Sequence, residues 1–379
     1  MPGGRPQRTS IATGSCTSAR GKNSWRRRKV SKNIPQLDAV RGVAILLVIL
    51  HNQSGAFPSL HWMGVDLFFV LSGFLITGIL VDTKQSDGYV KNFYARRCLR
   101  IWPLYYALIV FMFVIVPRLR PADAHTVFDK SSPWWAYPLF LQNVLIPSPT
   151  NAAGPLAVTW SLAIEEQFYL VWPWVIRYGS PAQVRRLALL VIGLSPALRL
   201  YLSFHDVNLY TNVFCRLDGL MAGALLALVV RSDAFLPERF VRPAWMALVV
   251  AVPLAFATEA VNARWIVFSL SAAASAAFVY LALFSSHTWL QAALTNRFLV
   301  YTGTISYGLY LLHKIPFDVA KTFHPDRHPL LALPILLAAC YALAALSWNL
   351  LEQPFLRLKR YFASRPGAKY ALSPLGSAA

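Results

Sequence analysis

The sequence has few charged residues and few cysteines. Only 14% of its 379 residues are charged, against about 25% in ordinary soluble domains, while 56% are hydrophobic. This combination argues against a soluble enzyme and against a disordered chain. The 4 cysteines are far apart and form neither a C-x-x-C pair nor a metal-ligand spacing. We therefore expect no disulfide framework and no bound metal.

Acidic residues are the scarcest charged class, and their scarcity gives a net charge of +20. The excess is concentrated at the two ends, because residues 1–36 carry 9 Lys and Arg and residues 357–379 carry 5, with no acid in either stretch. A long apolar body between basic ends is typical of a membrane protein whose Lys and Arg collect on the cytoplasmic side. The sequence therefore predicts a lipid-embedded domain over 37–356, two basic cytoplasmic tails and no nucleic-acid partner.

The first 36 residues contain no apolar run, so they lack the core of a cleavable signal peptide. Their composition predicts a disordered tail.

Apolar stretches long enough to cross a bilayer, roughly 17 to 25 residues each, predict ten transmembrane helices. They are 37–57, 62–81, 98–117, 156–176, 187–204, 212–230, 244–260, 265–285, 298–318 and 330–351. With ten crossings and an inner N-terminus, 26 Lys and Arg lie inside and 6 outside. This distribution predicts a multi-pass protein of the bacterial inner membrane with both termini in the cytoplasm.

An eleventh apolar segment, Trp134 to Pro147, is too short to count as a span. If it crossed, 12 downstream basic residues would lie outside and only 3 inside, which is the reverse of the usual bias. We interpret it as a re-entrant or interfacial piece on the outer face. The predicted fold is therefore an all-α polytopic membrane protein with about ten helices around a central pore and one short re-entrant or interfacial segment.

Ionisable residues inside apolar spans cost about 2.5–3.5 kcal/mol each on insertion scales, so each is a functional candidate. The candidates are Arg41, His51, Asp66, Glu165, Glu166, Arg216, Asp218 and His313. Structural alternatives exist, since Arg41 could reach the cytoplasmic surface and Arg216 and Asp218 could pair to hold two helices. Eight such residues together favour a functional interior.

His51 is the candidate best suited to proton transfer, because an imidazole titrates near neutral pH. It lies about 15 Å beyond Arg41 along a helix and about 80° around the axis. Arg41 is then near the cytoplasmic side and His51 beyond mid-membrane. The two side chains can share a cavity but not one narrow stripe.

Three arginines, Arg96, Arg97 and Arg100, lie over one helical turn at the start of the third span. Guanidinium groups bind phosphates through paired hydrogen bonds, so a phosphate-bearing cytosolic cofactor is one interpretation. Ordinary positive-inside topology is the other.

Two adjacent carboxylates, Glu165 and Glu166, begin the fourth span. Neighbours on a helix point about 100° apart, so at most one faces a given cavity. Such a carboxylate could orient His51 or accept a hydroxyl proton. Alternatively, it complements the positive end of its helix.

Seven motifs in order give the sequence a family resemblance. They are LDAVRGVAILLVILHN (37–52), GVDLFFVLSGFLIT (64–77), FYARRCLRIWPLYY (93–106), TWSLAIEEQFYLVWP (159–173), RLDGLMAGALLA (216–227), ISYGLYLLH (305–313) and LEQPF (351–355). Together they resemble the acyltransferase-3 family of integral membrane acyltransferases.

The resemblance implies transfer of an acyl group, commonly acetyl, from cytosolic acyl-coenzyme A to a hydroxyl of a carbohydrate or another extracytoplasmic acceptor. Acetyl-coenzyme A is then the expected donor. O-antigen, exopolysaccharide, peptidoglycan, a lipid-linked oligosaccharide and a small glycoside all remain open as acceptors. The residues that match functional positions of the family are Arg41 with His51, Arg97 with Arg100, Glu165 and His313.

The spacing of Arg41 and His51 departs from the family pattern by one residue, and Asn52 occupies the position where the family has its histidine. Either the helix carries a local bulge, or His51 reaches the cavity from a neighbouring angle. An amide does not titrate, so Asn52 cannot replace a base.

These observations combine into one mechanism. The donor phosphates lie near Arg96, Arg97 and Arg100, and the pantetheine arm passes Arg41. His51, oriented by Glu165 or Asp66, then deprotonates the acceptor hydroxyl, directly or after an acyl-enzyme step.

Two other functions are compatible with the pattern. A transporter or flippase for a glycan precursor or a small acid would also carry buried ionisable residues. It often shows an inverted repeat, and the sequence has no clear one. A non-catalytic membrane scaffold of the same fold is the second alternative.

Overall fold

The computed structural model of the protein describes residues 34–54, 61–119, 132–145, 154–205, 207–232, 235–321 and 329–362. The side chains of residues 51–54, 61–62, 321 and 329–331 lie outside this description. All described residues belong to one compact unit. Most of the predicted N-terminal tail and residues 363–379 of the C-terminal tail also lie outside the described residues.

Every regular element in the described ranges is helical. The α-helices are α1 (Pro35–Ser54), α2 (His61–Asp82), α3 (Tyr89–Val110), α4 (Val116–Leu119), α5 (Gln142–Leu145), α6 (Thr159–Tyr178), α7 (Pro181–Leu202), α8 (Val213–Val230), α9 (Pro237–Ala260), α10 (Arg264–Phe284), α11 (Thr288–Leu294), α12 (Arg297–Thr304), α13 (Ser306–Leu312), α14 (Lys314–Lys321), α15 (Pro329–Ser347) and α16 (Gln353–Arg357).

Short non-α turns join or extend these helices. The π-helical turns are Phe111–Ile115 and Trp348–Glu352, and the 3₁₀ turns are Trp134–Ala136, Gly154–Val158 and Leu358–Phe362. The last of these turns lies inside the predicted C-terminal tail, so helical structure continues beyond residue 356.

Within the described ranges, six helices are long and apolar enough to cross a membrane. They are Met63–Asp82, Tyr89–Leu119, Val213–Val230, Pro237–Ala260, Arg264–Phe284 and Ala332–Phe362. The protein is therefore all-helical in its described part, with membrane-spanning character, while the count of ten and the central pore stay predictions. Charged residues lower the hydropathy of α6 and α7. The predicted ninth span, 298–318, is divided among α12, α13 and α14.

Glycines let α2 approach α8 closely. A Cβ on Gly73 would lie 1.9 Å from the carbonyl oxygen of Leu220, and one on Gly223 would lie 2.0 Å from that of Val70. Neither position has room for a methyl group. Small residues at helix contacts are how membrane helices gain packing without a hydrophobic driving force.

A second glycine pair lets α1 approach α12 closely. A Cβ on Gly42 would lie 2.3 Å from the carbonyl oxygen of Leu299, and one on Gly303 would lie 1.7 Å from that of Asp38. This contact fixes the turn of α1 that carries Arg41.

The segment 132–145 contains only short turns, too short to cross a membrane, as the sequence predicted. Buried amides anchor it: Gln142 Nε2 donates to the Thr159 carbonyl (2.9 Å) and to Tyr105 Oη (3.1 Å). Gln167 Nε2 donates to Asn143 Oδ1 at 2.7 Å. The segment is therefore attached to α3 and to the start of α6.

Candidate active site

Arginines from two distant motifs come together. Arg41 lies on α1, where it forms an ion pair with Asp38 one turn earlier, and its side chain is 19% exposed. Arg97 and Arg100 on α3 lie within electrostatic range of Arg41. The structure thus brings together three basic residues that the sequence selected separately, and Asp38 offsets one of their charges.

In the part of the chain that the structure describes, Arg97 and Arg100 have no carboxylate within ion-pair distance. Both side chains are half-buried, and within the described residues neither forms an ion pair. The Arg97 guanidinium lies 6.0 Å from the ring centroids of both Phe93 and Tyr169. Arg96 lies within electrostatic range of Arg97. Partly buried guanidinium groups without counter-ions are suited to binding an anion.

Glu165 is held by hydrogen bonds beside these arginines. Ser72 Oγ on α2 donates to Glu165 Oε1 at 2.6 Å. Tyr169 Oη lies 3.2 Å from Glu165 Oε2 and 3.1 Å from Ser72 Oγ. Arg97 and Arg100 lie within electrostatic range of the carboxylate. Its position is therefore determined by three helices, α2, α3 and α6.

Ser72 and Tyr169 were missed by sequence reasoning. Tyr169 follows Glu165 by four residues, the spacing that places two side chains on one helix face, so helical periodicity could have found it. Nothing in the sequence pairs Ser72 with Glu165, because that contact joins two separate helices.

Glu166 has different neighbours from Glu165. It lies beside Trp102 on α3, and within electrostatic range of Cys98 and Tyr106. Its Oε1 atom is buried and has no hydrogen-bond partner among the described residues.

His51 lies on the same helix as Arg41, but its side chain is outside the described residues. Helix α1 is α-helical from Pro35 to Ser54 with no π turn in that range. The backbone therefore does not contain the bulge that would correct the one-residue shift. Approach of His51 to the cavity from a neighbouring angle stays a prediction.

Asp66 and Arg216 form a buried ion pair. Arg216 Nη2 on α8 lies 2.6 Å from Asp66 Oδ1 on α2, and the two side chains are 0% and 3% exposed. The Arg216 guanidinium also lies 3.9 Å from the ring centroid of Phe268 on α10. The pair joins two helices in the interior.

Asp218 pairs with a different arginine. Arg199 Nη2 on α7 lies 2.9 Å from Asp218 Oδ2, and Ser269 Oγ donates to the same oxygen at 2.6 Å. The pairing of Arg216 with Asp218 considered from the sequence is therefore wrong. The reason is that residues two apart on one helix do not face each other. Arg199 lies in a predicted span but was not among the candidates.

His313 is fully buried between α13 and α14. Its Nδ1 lies 2.9 Å from the Tyr310 carbonyl and 3.1 Å from the Leu309 carbonyl. Cys340 Sγ donates to the His313 carbonyl at 3.5 Å. These contacts attach the histidine to the place where the predicted ninth span is interrupted.

The end of the last membrane helix contributes two charged groups that sequence reasoning did not select. Glu352 is buried, accepts a hydrogen bond from Ser347 Oγ (3.3 Å) and lies within electrostatic range of Arg100. Lys359 is half-buried on the turn Leu358–Phe362. Among the described residues, no group of three or more His, Cys, Asp or Glu side chains could hold a metal ion.

Comparison with known proteins identifies relatives of the chain. The family described as Acyltransferase domain matches residues 34–351. A peptidoglycan O-acetyltransferase of Listeria monocytogenes is 29% identical over 350 residues, which cover 85% of this chain and 56% of the relative. No solved structure matches.

Two further relatives have related names. A Bacillus subtilis protein provisionally named a peptidoglycan O-acetyltransferase is 29% identical over 85% of this chain and 54% of its own length. A Staphylococcus aureus protein provisionally named an O-acetyltransferase is 26% identical over 86% and 58%, respectively. The chain therefore spans little more than half the length of the relatives it matches.

Proposed function

Because the chain belongs to the acyltransferase-3 family, we propose that it is a membrane-embedded O-acetyltransferase that moves an acetyl group from cytosolic acetyl-coenzyme A to a hydroxyl of an extracytoplasmic cell-wall glycan. Peptidoglycan is the acceptor class that the names of two relatives favour. The protein then lies in a bacterial inner membrane with both termini in the cytoplasm.

One observation carries the proposal: Arg41, Arg97 and Arg100 lie within electrostatic range of one another, and Glu165 lies within range of Arg97 and Arg100. A cationic site next to a half-buried carboxylate suits a reaction that must hold an anionic donor and organise a proton transfer. A scaffold has no need of such a cluster of charges, which is costly within a membrane.

The positive charge of the arginines indicates where the donor binds. Coenzyme A carries a pyrophosphate and a 3′-phosphate, and arginines bind such groups through charge-assisted hydrogen bonds. Arg96, Arg97 and Arg100 lie near the start of the helix Tyr89–Leu119, on the side where positive residues collect in the predicted topology. The phosphates would lie at these arginines, and the pantetheine arm would pass Arg41.

The acyl transfer requires a base for the acceptor hydroxyl, and we assign this role to His51. The thioester C–S bond breaks, the new ester C–O bond forms, and the hydroxyl proton moves through the imidazole to the sulfur of coenzyme A. A distance of about 15 Å along α1 separates His51 from Arg41, which matches a substrate that reaches from the phosphate site into the membrane.

Glu165 is assigned as the positioning carboxylate. Hydrogen bonds from Ser72 and Tyr169 hold it in place. Asp66 was the other candidate for this role. Because the charge of Asp66 is already compensated by its buried ion pair with Arg216, Glu165 is the better choice.

The proposal is tested by acetate release from peptidoglycan. Cells that produce the full chain, the Arg97→Gln variant or the Arg118→Gln variant are compared after membrane levels are matched. Arg118 is a suitable control because it is exposed and donates only to the Val114 carbonyl among the described residues. We expect base-labile acetate with the wild type and Arg118→Gln and little with Arg97→Gln. Glycan export without any new ester would overturn the proposal in favour of a transporter.

A further inference from the structure

Lys359 differs from the basic residues on either side of it. It lies on the turn Leu358–Phe362, which packs against α3. Its side chain is half-buried, whereas Arg357 and Arg360 are exposed. Arg357 Nη2 donates to Gln353 Oε1 at 3.3 Å, and the Arg360 guanidinium lies 4.9 Å from the ring centroid of Tyr361. Only the middle residue of this basic run turns toward the helices.

The charged groups around Lys359 are arginines. Arg41, Arg96, Arg97 and Arg100 all lie within electrostatic range of its ammonium. Within the described ranges Lys359 forms no ion pair with a carboxylate. The turn that carries Lys359 packs on the helix that carries three of these arginines, so five cations from three separate parts of the chain lie within electrostatic range of one another.

Such a cluster is unfavourable by itself. Like charges in a partly buried site repel one another strongly, because the surroundings screen them less than water does. Four carboxylates reduce the repulsion at individual arginines: Asp38 at Arg41, Glu165 and Glu166 at Arg97, and Glu352 at Arg100. They leave one of the five positive charges without a compensating carboxylate. The remaining positive charge suits a ligand with several negative charges, and the phosphates of the proposed donor have that character.

We propose that Lys359 is a donor-binding residue whose ammonium binds a phosphate of acyl-coenzyme A together with Arg97 and Arg100. The turn Leu358–Phe362 then completes the phosphate site by packing on α3. This inference rests on the proposed function, because it takes acyl-coenzyme A as the donor.

The test measures binding of coenzyme A to the purified full chain in detergent by titration calorimetry. We expect Lys359→Gln to weaken binding about tenfold, since a hydrogen bond to a charged group is worth about 1.5–3 kcal/mol. Lys359→Arg should bind within about threefold of the wild type, because it keeps the charge. Arg360→Gln is the matched control, one residue away and exposed, and should bind as the wild type does. The unfolding temperature of each variant without coenzyme A shows that the fold is intact.

The outcomes separate this inference from the proposed function. Wild-type binding that is weakened by Arg97→Gln but not by Lys359→Gln overturns the role of Lys359 and leaves the proposed donor in place. Equal weakening by Lys359→Gln and Arg360→Gln also overturns it, because the effect would then be general surface charge. If the wild type does not bind coenzyme A, the proposed donor is wrong and the inference fails with it.

Discussion

Ser72 Oγ lies 2.6 Å from Glu165 Oε1, so a hydroxyl of α2 donates a hydrogen bond to a carboxylate of α6. Tyr169, one turn after Glu165, lies 3.2 Å from the other oxygen of the same carboxylate. Both oxygens are therefore engaged by neutral donors, while Arg97 and Arg100 supply charge without direct pairing. This arrangement fixes the direction of the carboxylate and keeps the arginines available for a ligand.

Replacement of Glu165 by Gln tests whether its charge takes part in the reaction. Gln keeps the size of the side chain and can still accept from Ser72 Oγ. We expect kcat to fall about 10²-fold or more, as when a group that assists proton transfer is lost. The unfolding temperature should change little. Ser72→Ala is the companion variant and should lower kcat by about tenfold, because it removes one hydrogen bond to a charged group. A parallel loss of stability and activity in Glu165→Gln would instead indicate a structural role.

Replacement of Arg97 or Arg100 by Gln tests the donor site. Each change removes a charge-assisted contact worth about 1.5–3 kcal/mol, so KM for acetyl-coenzyme A should rise by about tenfold or more. KM for the glycan acceptor should stay near the wild-type value. The measurement is initial-rate kinetics on the protein in lipid vesicles, with Arg118→Gln as the control. If both KM values rise together, the substitution has disturbed the fold.

Replacement of His51 by Ala tests the base. Transfer should be abolished while insertion and abundance stay near normal, because the imidazole is the group that takes up the acceptor proton. The measurement is ester content of the isolated glycan, normalised to membrane-bound protein by immunoblot. Asn52→Ala is the neighbouring control and should keep activity, since an amide cannot serve as the base. Turnover by well-inserted His51→Ala protein would contradict the assigned role.

The sequence predicted the helical class, while the roles of the selected site residues stay predictions. Arg41, Arg97, Arg100 and Glu165 lie in three motifs far apart in the chain, and the structure brings them together. These motifs could be found in the sequence because each lies on one helix and has a local signal. The ionisable residue in an apolar span is that signal.

The contacts between helices could not be predicted from the sequence. Ser72 has no local feature that selects it as a partner of Glu165. Nothing in the sequence distinguishes Lys359 from the neighbouring Arg357 and Arg360. The pairing of Asp218 with Arg199 rather than Arg216 depends on which helices are neighbours. Single-sequence patterns report the faces of each helix but not the partners of those faces.

The ion pair of Arg216 with Asp66 predicts a large stability effect. Arg216→Met leaves Asp66 as a buried charge without its partner, so the loss should be about 3–5 kcal/mol. Arg231→Met is the control, because the Arg231–Asp82 pair is more exposed, at 14% and 23%, and should be worth about 0–1 kcal/mol. Thermal unfolding in detergent measures both. Adding Asp66→Asn to Arg216→Met should recover part of the loss, and no recovery would show that the two residues act independently.

The same double variant tests the predicted catalytic role of Asp66. Folded double-variant protein without transfer activity would support that role. We expect it to keep activity, because Glu165 is the assigned positioning carboxylate and the ion pair accounts for the burial of Asp66. The readout is acetate transfer per folded molecule.

The close approach of α2 and α8 predicts opposite outcomes for two glycine substitutions. A Cβ on Gly223 would lie 2.0 Å from the Val70 carbonyl oxygen, so Gly223→Ala must push the helices apart. Nothing lies within 4 Å of a Cβ on Gly193 in α7, so Gly193→Ala meets open space. The second change should stabilise the protein by about 0.5–1 kcal/mol, because Ala is the better helix former.

Ser72 is one residue before Gly73, which lies in the contact between α2 and α8. Separation of these helices would therefore also move Ser72 away from Glu165. We therefore expect Gly223→Ala to lower both the unfolding temperature in detergent and kcat, while Gly193→Ala lowers neither. Gly223 lies in α8 and Ser72 lies in α2. A fall in kcat in Gly223→Ala would therefore show that the packing of the two helices holds Ser72 in place. A stable Gly223→Ala protein with normal kcat would show that the close contact is not needed to hold the carboxylate in place.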